Sequence, residues 1–143
     1  MTPQQIELVR SSWQDVLPIR DQAAQLFYGK LFEMDPSVKE LFTGDMKEQG
    51  AKLMQMLNTV VQELDRLNEL LPEVRELALR HVQYGVKDSD YDTVGGALLW
   101  TLKTGLGAAF TPDVAEAWNT AYTALADAMR RDAHEPIRMN KPD

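Results

Sequence analysis

The sequence predicts an all-α protein on three observations. Apolar residues recur every three or four positions, no stretch sustains a period of two, and helix-start and helix-stop residues punctuate the chain between apolar stripes. Thr2, Pro3 and Gln5 combine an N-cap, a first-turn proline and a capping box; Ile6, Val9, Trp13 and Val16 then form a stripe that ends near Pro18. A second helix carries Ala24, Phe27, Tyr28, Leu31 and Phe32 on one side, with Met34 held out of helical geometry by Pro36. After the short turn PSVKELF, Asp45 with Glu48 offers another capping box and opens the most regular helix, through Leu53, Met56, Leu57, Val60 and Leu64. Beyond Pro72 a short helix carries Val74, Leu77, Ala78 and His81 on its apolar face and stops before Gly85, a residue able to adopt positive φ. Tyr91, Val94, Leu98 and Leu102 define the next helix, which ends near Gly105 and Gly107. Thr111 and Pro112 start the last one, with Val114, Trp118, Ala121, Tyr122 and Leu125. The expected organisation is one domain over residues 1–131 and a flexible tail over residues 132–143, which contains Pro136 and Pro142.

Composition narrows the function classes. A chain of 143 residues can bury a substantial core without covalent staples. It has no cysteine, which excludes disulfides, thiolate metal sites, iron–sulfur clusters and a cysteine nucleophile. The N-terminus MTPQQIELVR lacks the basic start and apolar stretch of a secretory signal, and no apolar run reaches membrane-spanning length. We expect a soluble, cytoplasmic protein with no membrane partner. The net charge of −7 would repel a phosphate backbone, and no basic face is visible, so no nucleic-acid partner is expected.

The common enzyme motifs are absent: there is no P-loop, GxSxG or HExxH, and Gly95-Gly96 sits inside a helical pattern rather than after a strand. There are two histidines. His134 lies in the tail, where a solvated side chain is expected. His81 lies on an apolar helix face, a position that suits a packed core residue as well as a ligand.

The surrounding constellation favours the ligand. From about Pro3 to Arg131 the chain resembles the bacterial single-domain haemoglobins of the flavohaemoglobin-related globin lineage. The segment RHVQYGVKDSDYDTVGGALLWTLKTGLG, followed by AWNTAYTALAD, is similar to the family's region from the haem-ligating histidine through the last helix. Pro36 and Phe42 in DPSVKELF match the family's turn proline and the phenylalanine that packs on the haem face. KEQGAKL aligns with the helix crossing the distal side. The resemblance implies a globin fold, a three-over-three helical sandwich, enclosing haem b with His81 as the iron ligand. It places Gln49 at the distal polar position, Tyr28 where this lineage carries a distal tyrosine, and Leu53 at an apolar pocket position.

These residue types suit that chemistry. A neutral imidazole offers one lone pair to iron, and its other nitrogen needs an acceptor, for which the carbonyl near Leu77 is the default. The opposite face then stays open to dioxygen, nitric oxide or carbon monoxide. A phenol from Tyr28 and an amide from Gln49 would give partly charge-assisted hydrogen bonds to dioxygen, favouring it over carbon monoxide. Alternatively, Tyr28 is a core tyrosine whose hydroxyl reaches a backbone carbonyl, and Gln49 a surface glutamine. Phe42, Leu53, Met56, Val86, Val94 and Leu98 would supply apolar walls, as ordinary core packing also would. Lys52 and Arg80 could meet haem propionates, or could be solvated charges.

Two departures bear on activity. Flavohaemoglobins join the proximal histidine to a tyrosine and a glutamate; Tyr91 matches the tyrosine, but the glutamate's place falls on Ala133, with Asp132 turned about 100° away on a helix. No flavin or nicotinamide domain follows, so turnover is expected to need an external reductant such as a flavin reductase. The primary expectation is reversible oxygen binding, for transport or storage. The alternatives are nitric oxide detoxification as a dioxygenase working with a separate reductase, and a globin-fold interaction module without cofactor.

Overall fold

The computed structural model describes residues 1–42, 44–66 and 88–139, with Asp88 and residues 130–139 as backbone only. Five α-helices account for most of them: α1 (Pro3–Val16), α2 (Arg20–Met34), α3 (Met46–Gln62), α4 (Asp88–Leu106) and α5 (Pro112–Met139). Short 3-10 turns at Leu17–Ile19, Pro36–Leu41 and Gly107–Ala109 connect them, and the described residues form no strand. The helix expected beyond Pro72 lies outside the described residues.

Local chemistry explains most of the boundaries. The Thr2 hydroxyl accepts from the Gln5 amide at 3.1 Å while Thr2 N–H donates to Gln5 Oε1 at 3.0 Å, so the first capping box closes in both directions. The second is only half a box. The Asp45 carboxylate accepts from the Lys47 amide at 2.9 Å, but Glu48 pairs one turn onward with Lys52 at 3.9 Å. A flexible acidic side chain facing an ammonium has a second option, and here it takes it. Met34 is also not excluded from its helix: α2 includes it, and Asp35 is the residue in extended conformation (φ −146°, ψ 92°). The proline clash acts on the residue immediately before the ring, which is Asp35 rather than Met34. Leu64 lies past the end of α3, as a buried residue of the short 3-10 turn that follows. Gly107, at φ +56°, takes the left-handed conformation that stops α4. The last helix runs to Met139. No helix among the described residues is long and apolar enough to cross a membrane.

The helices pack around a main buried cluster, with a smaller one of Tyr91, Leu125, Ala126 and Met129 between α4 and α5. α2 packs chiefly on α4, α1 on α5, and α3 against α2 and α1. Trp13 and Trp118 join α1 to α5 with ring centroids 6.1 Å apart, and both are essentially buried. Each indole N–H is satisfied, Trp118 donating to Ser12 Oγ at 2.7 Å and Trp13 to Asn58 Oδ1 at 2.9 Å. Ser12 in turn donates to the Leu8 carbonyl at 2.8 Å, so this buried polar set is closed. At the other end, Arg10 donates to the last carbonyls of α3, Val61 at 3.2 Å and Gln62 at 2.7 Å, and to Asp65 at 3.0 Å. A guanidinium there satisfies orphan carbonyls and meets the negative end of the helix dipole. These contacts join α1 to α3 and α5, and a separate opening lies between α2, α3, α4 and α5.

Candidate functional site

That opening is a cavity of about 650 Å³, within the range of roughly 300–1,000 Å³ usual for small-molecule and cofactor sites. Its walls are mostly apolar. α2 contributes Phe27, Tyr28 and Leu31; the following turn and loop contribute Val38, Leu41 and Phe42; α3 contributes Leu53, Met56 and Leu57; α4 contributes Val94 and Leu98; α5 contributes Leu125, Ala126 and Met129. Among the described residues, the polar groups on the lining come from few places: Tyr28, Gln49, Lys52, Asp90, Tyr91 and Tyr122.

Tyr28 is 6% exposed, and desolvation raises its phenol above the ordinary value of 10.0. A hydrogen bond with the Gln49 side chain opposes part of that rise. Such a bond favours the charged form of the phenol. At neutral pH the phenol keeps its proton and is itself a donor. No hydrogen bond from the Tyr28 hydroxyl to a backbone carbonyl is present among the described residues, unlike that expected of a core tyrosine. Gln49 is half-buried on the lining rather than on the exposed side of α3.

Tyr28 sits in a cluster of rings. Phe42 meets it edge-on at 5.3 Å, Phe27 at 5.0 Å, and Phe32 lies 6.0 Å away. Lys52 also lines the cavity; its side chain is 68% exposed and loosely paired with Glu48.

On the opposite wall, Tyr91 is buried at the start of α4, and its carbonyl accepts from the Tyr122 hydroxyl at 2.5 Å. The Tyr122 ring lies against Gly95, where an added Cβ would be 2.7 Å from Tyr122 Cε2. Only glycine allows so close an approach. Asp90, one residue before Tyr91, is 8% exposed and also lines the cavity.

Nine of the residues singled out in the sequence therefore share one cavity: Tyr28, Phe42, Gln49, Lys52, Leu53, Met56, Tyr91, Val94 and Leu98. Leu77, Arg80, His81 and Val86 lie outside the described residues. Among the described residues no cluster of His, Cys, Asp and Glu is arranged to hold a metal ion. Sequence reasoning missed Asp90, Tyr122 and Met129 as wall residues. Asp90 looks like an ordinary first-turn acid. Tyr122 carried one usable signal, a large aromatic in the apolar stripe of the last helix with a glycine pair on the preceding one.

Comparison with known proteins bears on the identity of this helical framework. The chain is 36% identical over 104 residues to a flavohemoprotein of Oceanobacillus iheyensis and 29% identical over 140 residues to one of Bacillus subtilis, covering 71% and 91% of this chain. It spans only 26% and 34% of the lengths of those two relatives. It is also 30% identical over 138 residues to a neuroglobin of Danio rerio, with 87% of each chain covered. The family profile described as Globin matches residues 25–129, from the middle of α2 into α5. The chain belongs to the globin family.

Proposed function

We propose that this globin binds haem b in the cavity, with His81 as the iron ligand, and holds dioxygen reversibly beneath Tyr28 and Gln49, as a member of the flavohaemoglobin-related lineage. The observation that carries this reading is the Tyr28–Gln49 hydrogen bond on the wall of a large apolar cavity. A buried phenol beside a half-buried amide on an apolar wall suits a ligand that develops negative charge. The residues fit the cofactor on the same grounds: the cavity is roomy and, among the described residues, mostly apolar, with polar side chains at a few positions that include the exposed Lys52.

Haem, when bound, supplies the iron that takes a diatomic gas. The chain does the rest. Phe42, Leu53, Met56, Val94 and Leu98 exclude water from the site, Tyr28 donates to the ligand through its neutral phenol, and Gln49 donates to the phenol oxygen or to the ligand itself. Tyr91, held by Tyr122 through its backbone carbonyl, occupies the wall of α4.

Two of the relatives are flavohemoproteins, which favours a second reading for the same site. Dioxygen, nitric oxide and one electron combine to nitrate, and sustained turnover requires that electron to be replaced by a flavin reductase. A spectral titration of the purified protein with haem tests the primary reading. A one-to-one end point and reversible spectral change on cycling between dioxygen and argon are expected; failure to take up haem would leave the cofactor-free interaction module as the better account. Rapid consumption of nitric oxide by the oxygenated protein, with nitrate formed and repeated turnover only when a reductase is added, would favour the dioxygenase.

A further inference from the structure

Phe32 is half-buried one helical turn beyond Tyr28 and does not line the cavity, yet it touches two residues that do. Its ring centroid is 6.0 Å from that of Tyr28, with the planes inclined at 31°, and 5.6 Å from that of Phe42 at 60°. Phe42 and Tyr28 meet each other at 5.3 Å and 70°, which closes a triangle of three rings. The members differ in how the backbone holds them. Tyr28 and Phe32 share the rigid α2, whereas Phe42 follows the 3-10 turn Pro36–Leu41, in extended conformation, on the loop leading to α3. The ring of Phe42 is therefore fixed by what it packs against rather than by its own element.

We propose that Phe32 is a positioning residue, the outer vertex of this triangle, which fixes the Tyr28 phenol and the Phe42 ring relative to each other and so sets the strength of the hydrogen bond that Tyr28 gives to a ligand. The reason is geometric. A phenol prefers to keep its O–H in the ring plane, so rotation about χ2, which leaves the oxygen in place, turns the donated hydrogen, and rotation about χ1 moves the oxygen itself. The Phe42 ring meets both Tyr28 and Phe32 edge-to-face, while Phe32 meets Tyr28 in a tilted contact, so Phe32 restrains Tyr28 both directly and through Phe42. This inference rests on the proposed role of Tyr28 as donor to dioxygen.

The test uses the haem-loaded protein and four variants: Phe32→Leu, Phe32→Tyr, Tyr28→Phe, and Phe32→Leu combined with Tyr28→Phe. Phe32→Leu is expected to accelerate dioxygen release by about three- to tenfold, the scale of one aromatic pair, while carbon monoxide release stays within about twofold because that ligand accepts hydrogen bonds poorly. Phe32→Tyr keeps the ring and should restore the wild-type rate. In the Tyr28→Phe background, Phe32→Leu should add nothing. An independent readout is the ring-flip rate of Tyr28, followed by NMR of ring-labelled tyrosine in the diamagnetic carbon monoxide form, which should rise by an order of magnitude or more in Phe32→Leu. A lower melting temperature with unchanged dioxygen release and unchanged ring flipping would make Phe32 a packing residue only and overturn the proposal. Equal acceleration in both backgrounds would also overturn it. If Tyr28→Phe alone leaves dioxygen release unchanged, the failure lies in the role of Tyr28, and the ring-flip rate still reports whether Phe32 restrains that ring.

Discussion

The phenol of Tyr28 on α2 and the side chain of Gln49 on α3 hydrogen-bond each other at the cavity wall, although they belong to different helices and are separated by the 3-10 turn and loop between. The crossing of α2 and α3 makes this pairing possible. Gly50, next to Gln49, lies so close to α2 that a Cβ on it would stand 3.0 Å from Ala24 Cβ. Close approach of the two backbones brings the two side chains within reach.

From that pair follows the first prediction. Tyr28→Phe removes a donor while keeping the ring, and a partly charge-assisted bond of about 1.5–3 kcal/mol corresponds to roughly tenfold to hundredfold faster dioxygen release. Gln49→Leu should act in the same direction. Stopped-flow displacement of dioxygen by carbon monoxide measures both, and wild-type rates in both variants would remove the pair from ligand control.

A pH dependence follows from the raised phenol. Burial lifts the folded-state pKa of Tyr28 above its unfolded value of about 10. Above that pH the unfolded chain loses a proton that the folded chain retains, so stability falls as pH rises. The contribution is intact below about pH 10 and is lost as pH climbs through the folded-state pKa. Urea midpoints of wild type and Tyr28→Phe, compared at about pH 8 and about pH 11, should show wild type losing more stability than the variant.

How much of this is legible in the sequence depends on the range of the cause. Helix starts are legible because their caps are local: Thr2 with Gln5, Asp45 with Lys47, and Thr111, whose hydroxyl accepts from Val114 N–H at 3.3 Å. The family resemblance likewise marks Tyr28, Phe42 and Gln49 as residues of one region. Glu48 is less legible, because its choice between the helix cap and Lys52 depends on competition between two nearly equal partners. The wall supplied by α5 is barely legible, the glycine pair opposite Tyr122 being its one signal. Tyr122, Leu125 and Met129 have the spacing of any packed stripe, and only the crossing of α4 and α5 shows that they face a cavity. The opposition of Gly95 and Tyr122 is likewise set by tertiary packing.

That opposition gives a third prediction. Gly95→Ala puts a methyl group against the Tyr122 ring, which must shift and give up its bond to the Tyr91 carbonyl. Overpacking of this kind costs about 1–3 kcal/mol, and Tyr122→Phe alone about 0.5–1.5 kcal/mol. Because both disturb one contact, the double variant should be less destabilised than the two effects added, as read by denaturant titration.

Arg10 supplies a fourth. It satisfies the carbonyls of Val61 and Gln62 at the end of α3, and its ion pair with Asp65 is half exposed. Arg10→Ala should cost about 1–2 kcal/mol through the orphaned carbonyls. Asp65→Asn should cost a few tenths of a kcal/mol, since exposed pairs contribute little. Thermal melts in low and high salt distinguish the two causes, because loss of the carbonyl bonds is the less salt-sensitive.

The most direct test of the account is the absorption spectrum of the haem-loaded ferrous protein, with and without carbon monoxide, in wild type and His81→Ala. A b-type haem ligated through His81 predicts a sharp Soret band in wild type that shifts on carbon monoxide binding. It also predicts loss of haem or an altered ferrous spectrum in the variant, with recovery on adding imidazole. Identical ferrous and carbon monoxide spectra in the two proteins would contradict the assignment of His81 as the iron ligand.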